Sequence, residues 1–290
     1  MPGFIVATDS ASDIPIEMCR EYDIHPLMIT YTFGDEEFED SLVQEDCRAF
    51  YDRMRAGEVP HTSQPNPTRF VEFWESIMDG ELPIIHICLS GGVSGTVQSG
   101  RMAVEMMQEL HPDLKVYFID STLESFGYGC LAVEAAKMAR EGKSAEEAVE
   151  YIERVKPTLN SYYTTGDLSY LYRSGRLSKA SFFVAKALNI WPIMRLDLAG
   201  HLLVYEKCRG KKATYARIHE LIDGMVENPE DQTLIVCHTD CFEQAKEWAE
   251  GVQQRFGFKD IFYTCVGPTI GTHAGPGLMA IFFRGKSRFD

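Results

Sequence analysis

The chain has no long apolar run. Nowhere does it approach the roughly 18 consecutive apolar residues that a membrane-spanning helix needs, so no such span is expected. Its start, Met1-Pro2-Gly3-Phe4-Ile5-Val6-Ala7-Thr8-Asp9, has no basic stretch, and Asp9 interrupts the apolar residues. That pattern argues against a secretory signal. The 8 cysteines (19, 47, 88, 130, 208, 237, 241 and 265) include no Cys-x-x-Cys pair. Without a secretory signal they are expected to be reduced thiols in a cytoplasmic protein.

Positive charge is also scarce. Lys and Arg number 28 against 43 Asp and Glu, for a formal net charge of −15. Such a chain repels nucleic-acid phosphates and anionic lipid surfaces. The densest basic run, Lys207-Cys208-Arg209-Gly210-Lys211-Lys212, is short. Cys237-His238-Thr239-Asp240-Cys241 crowds several metal-binding side chains together. A structural zinc site takes four ligands, however, and no second ligand pair is evident, so neither metal nor cofactor is expected.

What remains is ordinary globular composition: 290 residues, 45% of them hydrophobic. That length suits one large α/β domain or two smaller ones. Apolar stretches at 4–7, 25–33, 83–89 and 115–119 predict strands. Between and after them, 15–22, 45–55, 68–78, 95–110, 126–140 and 145–155 predict helices, the first capped by Ser12 or Asp13. Strand, loop and helix in succession argue for a parallel sheet covered by helices on both faces. Lys156-Pro157 marks a boundary, giving expected domains at 1–156 and 157–290. In the second part, strands are predicted at 161–165, 191–196, 201–205, 233–238, 260–266 and 278–283. Helices are predicted there at 168–173, 181–188, 215–226 and 242–256. The short gap at 197–200 suits an antiparallel pair, so the second sheet is expected to be mixed.

Four segments place polar residues where an apolar run ends, which is where open α/β sheets bind ligands. Thr8-Asp9-Ser10-Ala11-Ser12-Asp13 reads as a capped turn or a ligand contact. In His61-Thr62-Ser63-Gln64-Pro65-Asn66-Pro67, the prolines predict a stiff loop presenting the hydroxyls of Thr62 and Ser63. Leu89-Ser90-Gly91-Gly92-Val93-Ser94-Gly95-Thr96 is a Gly-rich turn opening a helix. Its amides and the Ser94 hydroxyl favour an anion. It lacks the Lys of a P-loop, so a nucleotide phosphate is not implied. Gly271-Thr272-His273-Ala274-Gly275-Pro276-Gly277 aims one imidazole from a constrained backbone. Arg176 and Arg209 are either solvated charges or the guanidinium a carboxylate needs.

Taken in order, these segments resemble the signature of the DegV family. Asp9-Ser10-Ala11-Ser12-Asp13-Ile14-Pro15, Thr62 to Pro67, Leu89 to Thr96, Ile119-Asp120-Ser121, Gly175-Arg176-Leu177-Ser178 and Gly271 to Gly277 carry the likeness across nearly the whole chain. The resemblance implies two α/β domains and a long-chain fatty acid in an apolar tunnel. It implies a carboxylate held near the interdomain cleft by Thr62, Ser63, Ser94, Gly95, Thr96, Arg209 and His273. It also implies a non-enzymatic carrier that presents the acid to a separate fatty acid kinase, which supplies ATP and metal itself. Two departures stand out. Ser90-Gly91-Gly92 replaces the usual Ser-Ser-Gly, and Trp191 stands where a Lys is usual.

The rival reading is an acyl hydrolase with Ser94 as nucleophile and His273 as base. Gly92-Val93-Ser94-Gly95-Thr96 does not match the Gly-x-Ser-x-Gly elbow such enzymes use. A regulatory protein without ligand is the third reading.

Overall fold

The computed structural model describes residues 2–80, 82–178 and 190–288. The helix expected at 181–188 lies outside the described residues.

The first sheet holds β1 (Ile5–Asp9), β2 (Ile24–Leu27), β6 (Ile84–Cys88) and β7 (Val116–Asp120), in the order β2-β1-β6-β7 and all parallel. β1 and β6 are buried along their whole length. Parallel sheets are covered on both faces, which is why these strands read as unbroken apolar runs. The crossovers are helical: α1 (Ile16–Tyr22), α3 (Pro67–Ile77), α4 (Thr96–Leu110) and, after β7, α5 (Phe126–Arg140) and α6 (Ala145–Val155). Their starts follow local chemistry. Asn66 caps α3 with Pro67 in its first turn, and Ser144 and Glu147 form a capping box on α6. α1 is different, because its N-cap is Pro15 and no side chain caps it. Asp13 serves elsewhere, and the buried Ser12 hydroxyl has no hydrogen-bond partner among the described residues.

The predicted strand at 25–33 is two strands in two sheets. After β2 the Ile29 amide donates to the Ser10 hydroxyl at 3.0 Å, and the chain leaves the parallel sheet. β3 (Thr30–Phe33) then joins β4 (Glu36–Glu39) and β5 (Pro60–Ser63) in a three-stranded antiparallel sheet of order β4-β3-β5. Gly34 takes the positive φ, 58°, that the two-residue hairpin between β3 and β4 requires. Neither β4 nor β5 carries an apolar–polar alternation in its sequence. Glu36-Glu37-Phe38-Glu39 is nearly all acid, and β5 begins on Pro60. α2 (Asp46–Arg55) packs Phe50 and Tyr51 beneath this sheet.

The chain passes through Lys156–Thr158 into a six-stranded mixed sheet of order β10-β9-β8-β13-β11-β12. Its strands are β8 (Leu159–Thr164), β9 (Ile190–Leu196), β10 (Leu202–Arg209), β11 (Thr233–His238), β12 (Asp260–Cys265) and β13 (Met279–Arg284). β9 and β10 are antiparallel about the turn at Gly200, as expected, while β11 and β12 are parallel. Among the described residues, four helices accompany this sheet: α7 (Ser169–Arg173), α8 (Lys211–Met225), α9 (Phe242–Phe256) and α10 (Pro268–Ala274). The first and mixed sheets share one core through α5. Phe126 lies 4.7 Å from Phe262, ring centre to ring centre, and Gly127 lets the Phe282 ring pack against its backbone. No helix among the described residues is long and apolar enough to cross a membrane.

Candidate functional site

A cavity of about 210 Å³ opens where the three sheets meet. Leu89, Val93, Leu171, Leu202, Ile270 and Leu278 supply apolar wall, and polar groups enter from several elements.

Thr62 comes from β5. The segment 61–67, expected as a loop, is a strand followed by the cap of α3. Strand alternation turns Thr62 inward and leaves its neighbours His61 and Ser63 exposed. Ser63 therefore does not line the cavity. The Thr62 Oγ1 sits 3.0 Å from Nε2 of His273, across 211 residues of sequence. His273 itself is in the last turn of α10, a helix where a loop was expected. Burial, reinforced by Arg176 and His61, holds its pKa down at about 4. The imidazole is thus neutral at neutral pH. In the tautomer that carries its proton on Nε2 it donates to Thr62, and the Thr62 hydroxyl proton is then free to serve a ligand oxygen.

Buried carboxylates hold α10 in place. Asp13 accepts from the Gly267 amide at 2.7 Å and from the Ser125 hydroxyl. Asp40 accepts from the amide and hydroxyl of Thr269 at 3.0 and 2.6 Å. Asp9 accepts from the amides of Ala11 and Leu89, both at 3.1 Å, and from the Tyr128 hydroxyl at 2.6 Å. Asp9 thereby ties the end of β1 to the end of β6. The acid-rich segment after β1 is structural support rather than part of the cavity wall. Burial raises the pKa of all three, that of Asp40 to about 6.

The Gly-rich turn is a packed junction. Ser90 donates to the Gly200 carbonyl at 2.9 Å and accepts from the Gly92 amide at 3.1 Å. A Cβ on Gly92 would run into the Gly200 backbone, and one on Gly95 into Gln64. Gly95 is the exposed N-cap of α4 and does not line the cavity. Ser94 and Thr96 do line it, with their hydroxyls 2.8 Å apart. Ser94 also accepts from the Thr96 amide at 3.2 Å. The hydrogen bonds of Ser94 thus run to Thr96, while His273 is hydrogen-bonded to Thr62.

Arg209 requires correction. It lies exposed at the end of β10, away from the cavity, because Gly210 (φ 79°) breaks the basic run between β10 and α8. The guanidinium on the cavity wall belongs to Arg176. Its Nε donates to the Val93 carbonyl at 3.2 Å and its Nη1 to the Ser174 carbonyl at 2.7 Å. Sequence reasoning also passed over Gln64, Glu124, Tyr163 and Thr269 on the same wall. Gln64 sits inside the Thr-Ser-Gln-Pro motif and was legible there. Nothing local distinguishes the other three.

A second cavity, about 310 Å³, lies under the three-stranded sheet. Asp13, Glu39, Asp40 and Asp46 are on its wall, so its field disfavours an anion. No cluster of three or more His, Cys, Asp or Glu side chains suited to a metal occurs among the described residues.

The fold and cavity therefore define an α/β protein with an internal, mostly apolar pocket that carries hydroxyls, a neutral imidazole and a guanidinium. The family model for the DegV family, described as uncharacterised proteins, matches residues 4–286. A DegV domain-containing protein of Clostridium perfringens is 33% identical over 289 residues, covering 99% of each chain. The crystal structure of DegV, a fatty acid binding protein from Bacillus subtilis, superposes with a TM-score of 0.85 at 30% identity. That match covers 99% of this chain and 100% of the other. A DegV family protein from Eubacterium eligens, loaded with heptadecanoic acid, matches with a TM-score of 0.82 at 25% identity, covering 98% and 100%. The chain belongs to the DegV family.

Proposed function

We infer that this protein binds one long-chain fatty acid and carries it rather than transforms it. The observation that supports this most is the cavity: an apolar wall onto which Thr62, Ser94, His273 and Arg176 converge from four separate elements. Each buried methylene contributes about 0.8 kcal/mol, so the chain dominates affinity. The carboxylate must find donors on leaving water. Two hydroxyls and the guanidinium supply them, with the neutral imidazole orienting Thr62. The fatty acids named for the Bacillus and Eubacterium relatives support the same ligand class. The hydrolase reading lacks a Ser94–His273 hydrogen bond in this geometry.

In this reading the chain has two domains meeting at Lys156 and delivers its acid to a separate fatty acid kinase. All eight cysteines are free thiols, which supports a reducing, cytoplasmic location. Kinase with ATP should form acyl phosphate from bound acid only when this chain is present. Acyl phosphate formed equally well without it would remove the delivery step.

Calorimetry on delipidated protein tests the binding site. Thr62→Ala and Ser94→Ala should each weaken palmitate binding by about 1 kcal/mol or more, the value of a lost charge-assisted bond. Ser63→Ala should change nothing, since Ser63 points to solvent. Wild-type affinity in both Thr62→Ala and Ser94→Ala would refute the head-group assignment.

A further inference from the structure

Two polar groups on the cavity wall have side chains outside the hydrogen-bond network described above. Glu124 sits in the turn between β7 and α5, buried; its carboxyl makes no side-chain hydrogen bond or close ion pair with any described residue, and Arg176 is the charge that acts on it. Tyr163 projects from β8, and its buried hydroxyl finds no partner in hydrogen-bond geometry. Both line the cavity that receives Thr62 and Ser94. They are near neighbours electrically: after burial, the charge of Glu124 is the largest influence pushing the Tyr163 phenol upward. Around them the wall is apolar, with Leu202, Cys237 and Ala280.

A plain acyl chain is a poor fit here. Laid along this wall it would seal a carboxyl and a phenol against methylenes and leave both unsatisfied. A site with buried hydrogen-bonding groups discriminates against ligands that cannot answer them. The required partner must accept from the Tyr163 hydroxyl and donate to the Glu124 carboxylate. A hydroxyl group does both at one atom, whereas a keto or ether oxygen only accepts. Burial holds the Glu124 pKa near 7 against the opposing pull of Arg176. The group thus passes between acceptor-only and donor-acceptor forms in the neutral range.

We propose that Glu124 and Tyr163 form a second polar subsite in the cavity that selects long-chain fatty acids bearing a hydroxyl group on the acyl chain. The inference rests on the fatty-acid reading above and names the ligand class within it. The carboxylate goes to Thr62, Ser94 and Arg176. The chain hydroxyl bridges Glu124 and Tyr163.

Calorimetry on the delipidated full chain tests this with stearate against 2-, 3-, 10- and 12-hydroxystearate. At least one hydroxy isomer should bind about fivefold or more tighter than stearate. The Glu124→Leu, Tyr163→Phe double variant should lose that margin. Glu124→Gln and Tyr163→Phe alone keep the shape of each side chain and should each reduce the margin, which guards against misfolding of the double variant. The inference is overturned if no isomer reaches the margin over stearate, or if the margin survives in the variants. Stearate bound without preference sinks this inference alone. Failure of every acid to bind would remove the carrier reading with it.

Discussion

His273 is held as a neutral hydrogen-bonding group, and its surroundings explain why. Its Nε2 is 3.0 Å from Thr62 Oγ1, and burial with Arg176 and His61 nearby penalises the imidazolium. Its pKa falls from an unfolded value of about 6.5 to about 4. The native state therefore binds fewer protons than the unfolded chain between these values. The contribution of this residue to stability is full above about pH 6.5 and is lost as pH falls towards 4. In an NMR titration the His273 resonances should inflect near pH 4, and an inflection near 6.5 would contradict the buried, hydrogen-bonded placement. Motif reading reached Thr62, Ser94 and His273 because each lies in a Gly- or Pro-marked segment with its own local signature. The same reading chose Arg209 over Arg176. Both arginines sit in similar basic, Gly-containing runs, and only the path of the backbone decides which one faces inward.

At the scale of elements, the junction between the Gly-rich turn and the β9–β10 hairpin joins the two larger sheets beside the cavity. Gly92 meets the backbone of Gly200, and Ser90 bonds the Gly200 carbonyl across 110 residues of sequence. Backbone cannot swing aside as a long side chain can. Gly92→Ala should therefore destabilise the protein by about 1–3 kcal/mol, the range for overpacking. Urea denaturation measures this, and a midpoint unchanged from wild type would show that the junction yields freely. Most helices were legible here. α5 and α6 match their predicted limits because apolar spacing and length agree, and α6 has its capping box as well. β4 and β5 were not legible, since neither carries a strand pattern of its own. Both are held by pairing with β3, and that pairing depends on the chain leaving the first sheet at Ile29.

For the whole molecule, charge sets the terms of partnership. A net charge of −15 keeps nucleic acid and anionic surfaces away, so a kinase would meet local features rather than a general field. Lys211 and Lys212 open α8 beside the end of β10, with Lys212 exposed and Lys211 near Glu247 and the Tyr215 ring. If the proposed kinase docks here, Lys211→Glu with Lys212→Glu should weaken its capture severalfold and slow the measured on-rate most, as expected for charge steering. Capture indifferent to the reversal would remove this face from the interface. Fatty-acid affinity should not change in the same variant, because α8 contributes nothing to the cavity wall.

Alternating apolar strands and amphipathic helices were enough to establish an α/β architecture with a parallel sheet and a mixed one. Those patterns are local, repeating every two or 3.6 residues, and burial enforces them directly. Tertiary structure alone decided how the chain breaks at Ile29, why Asp9, Asp13 and Asp40 are buried, and which arginine reaches the cavity. It also placed Glu124 and Tyr163 on one wall. Each of these depends on contacts between residues far apart in the chain, as with the 211 residues that separate Thr62 from His273. No local window carries that information, because it arises only when the sheets close around a shared core.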